Sequence, residues 1–132
     1  MTPEGLIVRA SRHEPKETMD RLAAAVTARG ASVVARVDHA AAAATVGLAL
    51  APTEVLIFGN PRAGTPLMQA AQTIGIDLPL KALVWRDASG ATFLGYNDPR
   101  WLARRHGAEA GNEAILQAMA DFLAGVADEA AA

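Results

Sequence analysis

Two apolar segments, Leu80 to Arg86 and Ala91 to Asn97, are separated only by Asp87-Ala88-Ser89-Gly90. Branched and aromatic residues flanking so short a polar link predict a β-hairpin, and strands joined this tightly must run antiparallel. A two-residue loop at Ala88-Ser89 sets Lys81 opposite Tyr96, Leu83 opposite Leu94 and Val84 opposite Phe93. In that register Leu83, Trp85, Leu94 and Tyr96 share one face, and Leu80, Ala82, Val84 and Phe93 share the other. Both faces are apolar, so the sheet containing this hairpin needs cover on both sides.

The rest of the chain supplies the partners. Gly5 to Ala10 and Thr53 to Phe58 read as strands, the latter apolar on both faces like a central one. In a strand from Ser32 to His39, Val33, Ala35, Val37 and His39 alternate with Val34, Arg36 and Asp38. A helix opens at Pro15, carries Met19, Leu22, Ala23 and Val26 at helical spacing, and closes at Gly30. Residues 40–50 read as a short helical or irregular segment ending near Gly47. A third helical segment runs from Pro66 to about Thr73, with Leu67, Ala70, Ala71 and Ile74 inward. Asp98 and Pro99 start a short helix that ends at His106-Gly107. From about Asn112 the stripe Ile115, Leu116, Met119, Phe122 and Leu123 marks a last helix, with residues 125–132 expected to fray. The order β-α-β-β-β-β-α, with short helical insertions, predicts an α+β two-layer sandwich: a largely antiparallel five-stranded sheet with helices on one face. The other face is left uncovered, and a second copy is the simplest cover, so a homodimer is expected.

At 132 residues and 52% hydrophobic, the chain suits a single domain over residues 1–132. Its 12 basic and 14 acidic residues give a net charge of -2, with no basic cluster to bind a nucleic-acid backbone. It has no cysteine, which excludes disulfides, thiolate metal sites and cysteine nucleophiles. MTPEGLIVRAS lacks the pattern of a secretion signal, and no window reaches the roughly 18 apolar residues of a membrane helix. A cytoplasmic location without a membrane partner is therefore expected.

Three long stretches carry a family resemblance: VDHAAAA (37–43), PTEVLIFGNPRAGTPLMQAAQTIGIDLPLKALVWRD (52–87) and GYNDPRWLARRHG (95–107). With its motifs FGNP-x-AGTPLM, DLPLK and YNDP, the chain resembles the bacterial and archaeal domain-of-unknown-function 302 family over about residues 5–124. The resemblance implies a fold like that of the TATA-binding protein and a dimeric habit. It brings no catalytic residue, and the fold likeness does not carry DNA binding with it.

The stretch GNPRAGTPLM joins a strand to a helix. Free N–H groups at a helix start, with Arg62 nearby, suit an anion, but the capping pattern explains the segment without one. Pro66 holds Thr65 in extended geometry, and the Thr65 hydroxyl then caps Leu67 or Met68. Asp38 and His39 close the second strand on opposite faces, so they form no dyad. His39 alone offers a general base, and its bland alternative is a bond to the backbone. In the predicted register Lys81 and Tyr96 stand together, with Asn97 beside them and Asn60 within approach. That set suits acid–base work, although a lysine beside a tyrosine more often just lays its methylenes on the ring. Trp85 and Trp101 read as packing or interface residues. No histidine pair has ligand spacing, so no metal or cofactor is expected.

These residues support a domain that binds a small apolar or anionic ligand, or a protein partner, through Asp38, His39, Asn60, Arg62, Thr65, Lys81, Tyr96 and Asn97. The alternatives are a small-molecule enzyme with Lys81 or His39 as acid–base group and Tyr96 as hydroxyl partner, and a structural or stress-associated dimer without ligand. No motif commits the chain to a reaction.

Overall fold

The computed structural model describes residues 2–132. The sheet comprises β1 (Leu6–Ser11), β2 (Ser32–Asp38), β3 (Thr53–Gly59), β4 (Leu80–Arg86) and β5 (Thr92–Asn97), in spatial order β1-β5-β4-β3-β2. Every neighbouring pair is antiparallel, β4 and β5 through the short hairpin link that predicts it. The helices are α1 (Pro15–Ala28), α2 (His39–Thr45), α3 (Pro61–Ala70), α4 (Pro99–His106) and α5 (Glu113–Ala131), with a 3-10 turn at Gln72–Ile76. The chain is thus an α+β two-layer sandwich.

Helices α1 and α5 lie together on one face of the sheet. Their Met19, Leu22, Val26, Leu123, Val126 and Ala127 form one core with Leu56, Phe58, Ala82, Val84, Leu94 and Tyr96. A second cluster joins Leu67 of α3, Ile74 of the 3-10 turn, Leu102 and Ala103 of α4, and Leu116 and Met119 of α5. Met119 therefore belongs to the helix that bridges the two clusters. Arginines fasten the periphery: Arg36 on β2 binds Asp20 of α1 at 2.8 Å and Glu54 of β3 at 2.9 Å. Arg9 pairs with Asp128, and Arg86 with Glu14.

The hairpin register differs by one residue from the predicted one. Ala82 faces Tyr96, Val84 faces Leu94 and Trp85 faces Phe93. The loop holds three residues, closed by a bond from the Asp87 N–H to the Ala91 carbonyl at 2.9 Å. Asp87 Oδ1 accepts from the N–H groups of Ser89 and Ala91, both at 3.0 Å, and Gly90 takes the left-handed conformation at φ +89° that a three-residue loop demands. One residue of shift exchanges faces. Tyr96 and Leu94 thus point into the helical core, while Lys81, Leu83, Trp85 and Phe93 line the helix-free face.

Three other expectations change. β2 ends at Asp38, whose Oδ1 accepts from Ala41 N at 2.9 Å and starts α2, so His39 is the first helical residue rather than a strand residue. A register shift between Val33 and Ala35 also interrupts the simple alternation of β2. Helix α3 begins at Pro61, five residues before the predicted start, because Asn60 is the cap: its Oδ1 accepts from Arg62 N at 3.0 Å. Pro66 lies inside α3, where it offers no N–H to the Arg62 carbonyl one turn before it. The last helix runs to Ala131, with Ala130 and Ala131 buried, where fraying was expected. Arg21 of α1 holds that end, donating to the carbonyls of Glu129 at 2.8 Å and Ala130 at 3.2 Å.

Candidate functional site

The end of β3 hands the chain to α3 at Gly59-Asn60-Pro61. Phe58 is fully buried in the core, so Gly59 emerges at the rim of the sheet, where a β-carbon would stand 3.3 Å from the Cβ of Pro79. Glycine thereby lets the strand end pass close to the Leu78-Pro79 segment. Helix α3 then turns back, anchored by Leu67 in the second cluster. Between this segment, the start of β2 and α5 lies a cavity of about 480 Å³. Its walls are mainly carbon, from Val34, Met68, Leu78, Leu80, Met119 and Phe122. Its polar groups are few and sit toward one end of the sheet: Ser32, which pairs across the strands with Gly59, together with Asn60, Thr65 and Arg29. An apolar chamber of this size with sparse polar groups is the form that small-molecule sites usually take.

Of the residues singled out in the sequence, Asn60 and Thr65 line this cavity. Asn60 does so while capping α3, whereas Thr65 lies within the helix and caps nothing. Arg62 is exposed and outside the lining set. Asp38 caps α2, and His39 is exposed beside it. Lys81 donates through Nζ to the carbonyls of Pro79 at 3.2 Å and Asp77 at 3.4 Å. Tyr96 is buried in the core on the opposite face, and Asn97 ends β5 opposite Leu6. The acid–base set of Lys81, Tyr96 and His39 is therefore not brought together.

Sequence reasoning missed Arg29, Leu78 and Phe122 at the cavity. It also missed a polar cluster beside it. Asp77 Oδ2 is 2.6 Å from His106 Nε2 and accepts from Arg105 Nη1 at 2.7 Å, while His106 Nδ1 lies 2.9 Å from the Thr73 hydroxyl. Burial works to raise the Asp77 carboxyl, but the bonds from His106 and Arg105 outweigh it and hold the group below the ordinary carboxylate range. The cluster ties the 3-10 turn to the last turn of α4, where basic groups also suit the helix dipole. Its neighbour Leu78 is a cavity wall, so the same tie positions the chamber. Nothing in the spacing of Asp77 and His106 signals this contact; the basic run Arg104-Arg105-His106 ending a helix is the nearest hint.

The helix-free sheet face is the other notable surface. Trp85 and Phe93 stack there with centroids 5.8 Å apart and planes at 29°. Gly95 makes room for this pair, since a β-carbon would meet Trp85 Cζ3 at 3.1 Å. Trp101, by contrast, packs over Gly5, where a β-carbon would come within 2.4 Å of the indole.

The architecture is that of an antiparallel α+β domain, and a solved structure shares it: the uncharacterized conserved protein DUF302 from Bacillus stearothermophilus matches with a TM-score of 0.84 over 97% of this chain and 99% of that one, at 20% identity. The family model described as Domain of unknown function DUF302 matches residues 7–126, and the chain belongs to that family. Among curated relatives, the Fluoride-specific ion channel FluC 1 of Brucella suis biovar 1 (strain 1330) is 50% identical over 115 residues, covering 87% of this chain and 45% of the relative. The Fluoride-specific ion channel FluC 2 of Brucella melitensis biotype 1 is also 50% identical over 115 residues, with 43% of its length covered. The chain therefore spans less than half the length of the curated relatives it matches. Among the described residues, no helix is long and apolar enough to cross a membrane.

Proposed function

We propose that this domain binds a small molecule with an apolar body, held in the chamber between the GNPRAGTPLM segment, Leu78-Pro79-Leu80 and α5. The observation that carries the reading is the chamber itself: about 480 Å³, walled mainly by carbon, with few polar groups in its lining. Burial of apolar ligand surface stabilises a complex by about 25 cal/mol per Å² before the costs of association are met. A cytoplasmic setting suits a chain with no cysteine to protect. In the longer Brucella relatives named as fluoride channels, the corresponding segment acts on this reading as a ligand-binding companion rather than as the ion path. A fluoride ion needs dense N–H donors or cations around it, whereas these walls are mainly carbon.

The test is native mass spectrometry of protein purified from its own host, beside the variant Ala118→Phe, which puts a ring into the chamber wall. A retained mass on the native chain that is lost in the variant is the expected outcome. An unliganded mass, together with no 1:1 uptake of an apolar dye, sinks the reading.

A second reading is favoured by the helix-free face: Trp85, Phe93 and Leu83 form an apolar patch away from α1 and α5, as an isologous two-fold contact requires. Light scattering across micromolar concentrations tests it, and a monomer mass throughout removes it. The alternative of an enzyme with Lys81 or His39 as acid–base group draws no support from a Lys81–Tyr96 pairing, because these two side chains point to opposite faces.

A further inference from the structure

We propose that the occupant of the chamber is an amphiphile with an anionic head, a carboxylate on an aliphatic body, bound with its head at Arg29. The inference rests on the reading of the chamber as a small-molecule site and adds the chemical class and the orientation.

Charge selects the head. Among the described residues that line the chamber, Arg29 is the one of formal charge and none carries a carboxylate. The C-terminal end of α1 places it there, as the residue that follows Ala28. Its side chain is 38% exposed, so a head group at this point keeps part of its hydration while the tail leaves water. That arrangement avoids the cost of burying a charge outright, which excludes an anion anywhere deeper among Met68, Leu78 and Phe122. A cationic head finds no free carboxylate there, since Glu129 is already held by Arg29.

The guanidinium is also prepared. Its recorded bonds run through Nη1, to Glu129 Oε2 at 2.5 Å and to the Ala25 carbonyl at 3.4 Å. These fix the group against α5 and engage neither Nε nor Nη2, whose N–H groups remain available to a further acceptor. Two parallel N–H donors on one edge match the two oxygens of a carboxylate. Gly125 of α5 lies beside that edge; a β-carbon there would stand 3.4 Å from Nη2 and 3.6 Å from Nε. Ser32 and Asn60 stand at the same end of the sheet, and their hydroxyl and amide groups suit the wet side of a carboxylate. Since one carboxamide oxygen is taken by Arg62 N, the Asn60 amide N–H₂ is the part left to donate.

The probes are dodecanoate, dodecanol and dodecyltrimethylammonium, three heads on one tail, titrated calorimetrically below their aggregation concentrations. Dodecanoate is expected to bind at least about tenfold tighter than dodecanol, with the ammonium weakest; tenfold corresponds to about 1.4 kcal/mol. Arg29→Gln should remove the preference, bringing the dodecanoate-to-dodecanol affinity ratio to about one. Arg29→Lys, which keeps the charge and the reach to Glu129 but loses the fork, should fall between. Thermal melts of both variants separate a loss of fold from a loss of selectivity. Equal affinity for the three heads, or a carboxylate preference that survives Arg29→Gln, overturns the anionic head and leaves the apolar chamber standing. Absence of binding by all three overturns the chamber reading and this one with it.

Discussion

On the helix-bearing face of the sheet, Phe58, Val84 and Leu94 are wholly shielded beneath α1 and α5; on the opposite face Val55, Leu83, Trp85 and Phe93 remain half-buried. The residue types on the two faces are nearly the same. What separates them is the cover of α1 and α5, while the loop of three residues at Ala88, Ser89 and Gly90 decides only which residues of β5 share a face with those of β4. Apolar alternation therefore finds the strands but does not say which face the helices will cover. The uncovered face is then a surface waiting for cover, and the covered one is the source of the fold's stability.

The largest expected effect breaks the covered face. Leu94→Ala removes a fully buried side chain and should cost about 3 kcal/mol in denaturant unfolding, by lost transfer energy and an unfilled cavity. Trp85→Ala, on the uncovered face, should cost the isolated chain about half as much, because its ring is only half-buried, against Phe93 and Gly95. If self-association uses this face, the same change shifts the light-scattering mass toward monomer, which Leu94→Ala does not do at temperatures where it is folded.

A smaller effect concerns the tie beside the chamber. Asp77→Asn should destabilise the fold by about 1–2 kcal/mol at neutral pH, through weaker bonds to His106 and Arg105. Because the folded Asp77 carboxyl lies below its ordinary value, its contribution is present above the unfolded carboxylate range near pH 4 and is lost as pH falls through the folded value. The gap between native and variant unfolding midpoints should thus close on acidification below about pH 4. A gap that widens there contradicts the sign. The smallest effect sharpens the register: Gly90→Ala meets no side chain within 4 Å, so its cost of about 1 kcal/mol comes only from the left-handed backbone.

Much of the fold was legible in the sequence. Five strands, their antiparallel arrangement, the Asp98-Pro99 start of α4 and the apolar stripe of α5 all follow from periodicity and capping. The hairpin register did not, because Asp87 can close a two-residue or a three-residue loop and only Gly90 at positive φ decides. The start of α3 was misplaced because GNPRAGTPLM offers two cap-proline pairs, Asn60-Pro61 and Thr65-Pro66, and the first one wins. Fraying of the last helix was expected from its terminal position, whereas Arg21 and the burial of Ala130 hold it. At the site, Asn60 and Thr65 were found because they belong to the turn. Arg29 and Phe122 were not, since each reaches the chamber from a helix whose sequence shows only ordinary amphipathic spacing.

The sheet order has a kinetic side. β2 to β5 pair with neighbours in chain order, while β1 joins β5 only after nearly the whole intervening chain, from Ser11 to Thr92, has been looped back. Closing that loop carries the largest entropic cost among the strand pairings, so chain entropy favours assembly of the β2–β5 meander first and docking of β1 last. Weakening β1 should then speed unfolding far more than it slows folding, and the strand written first in the sequence governs how long the native state lasts rather than how fast it is reached.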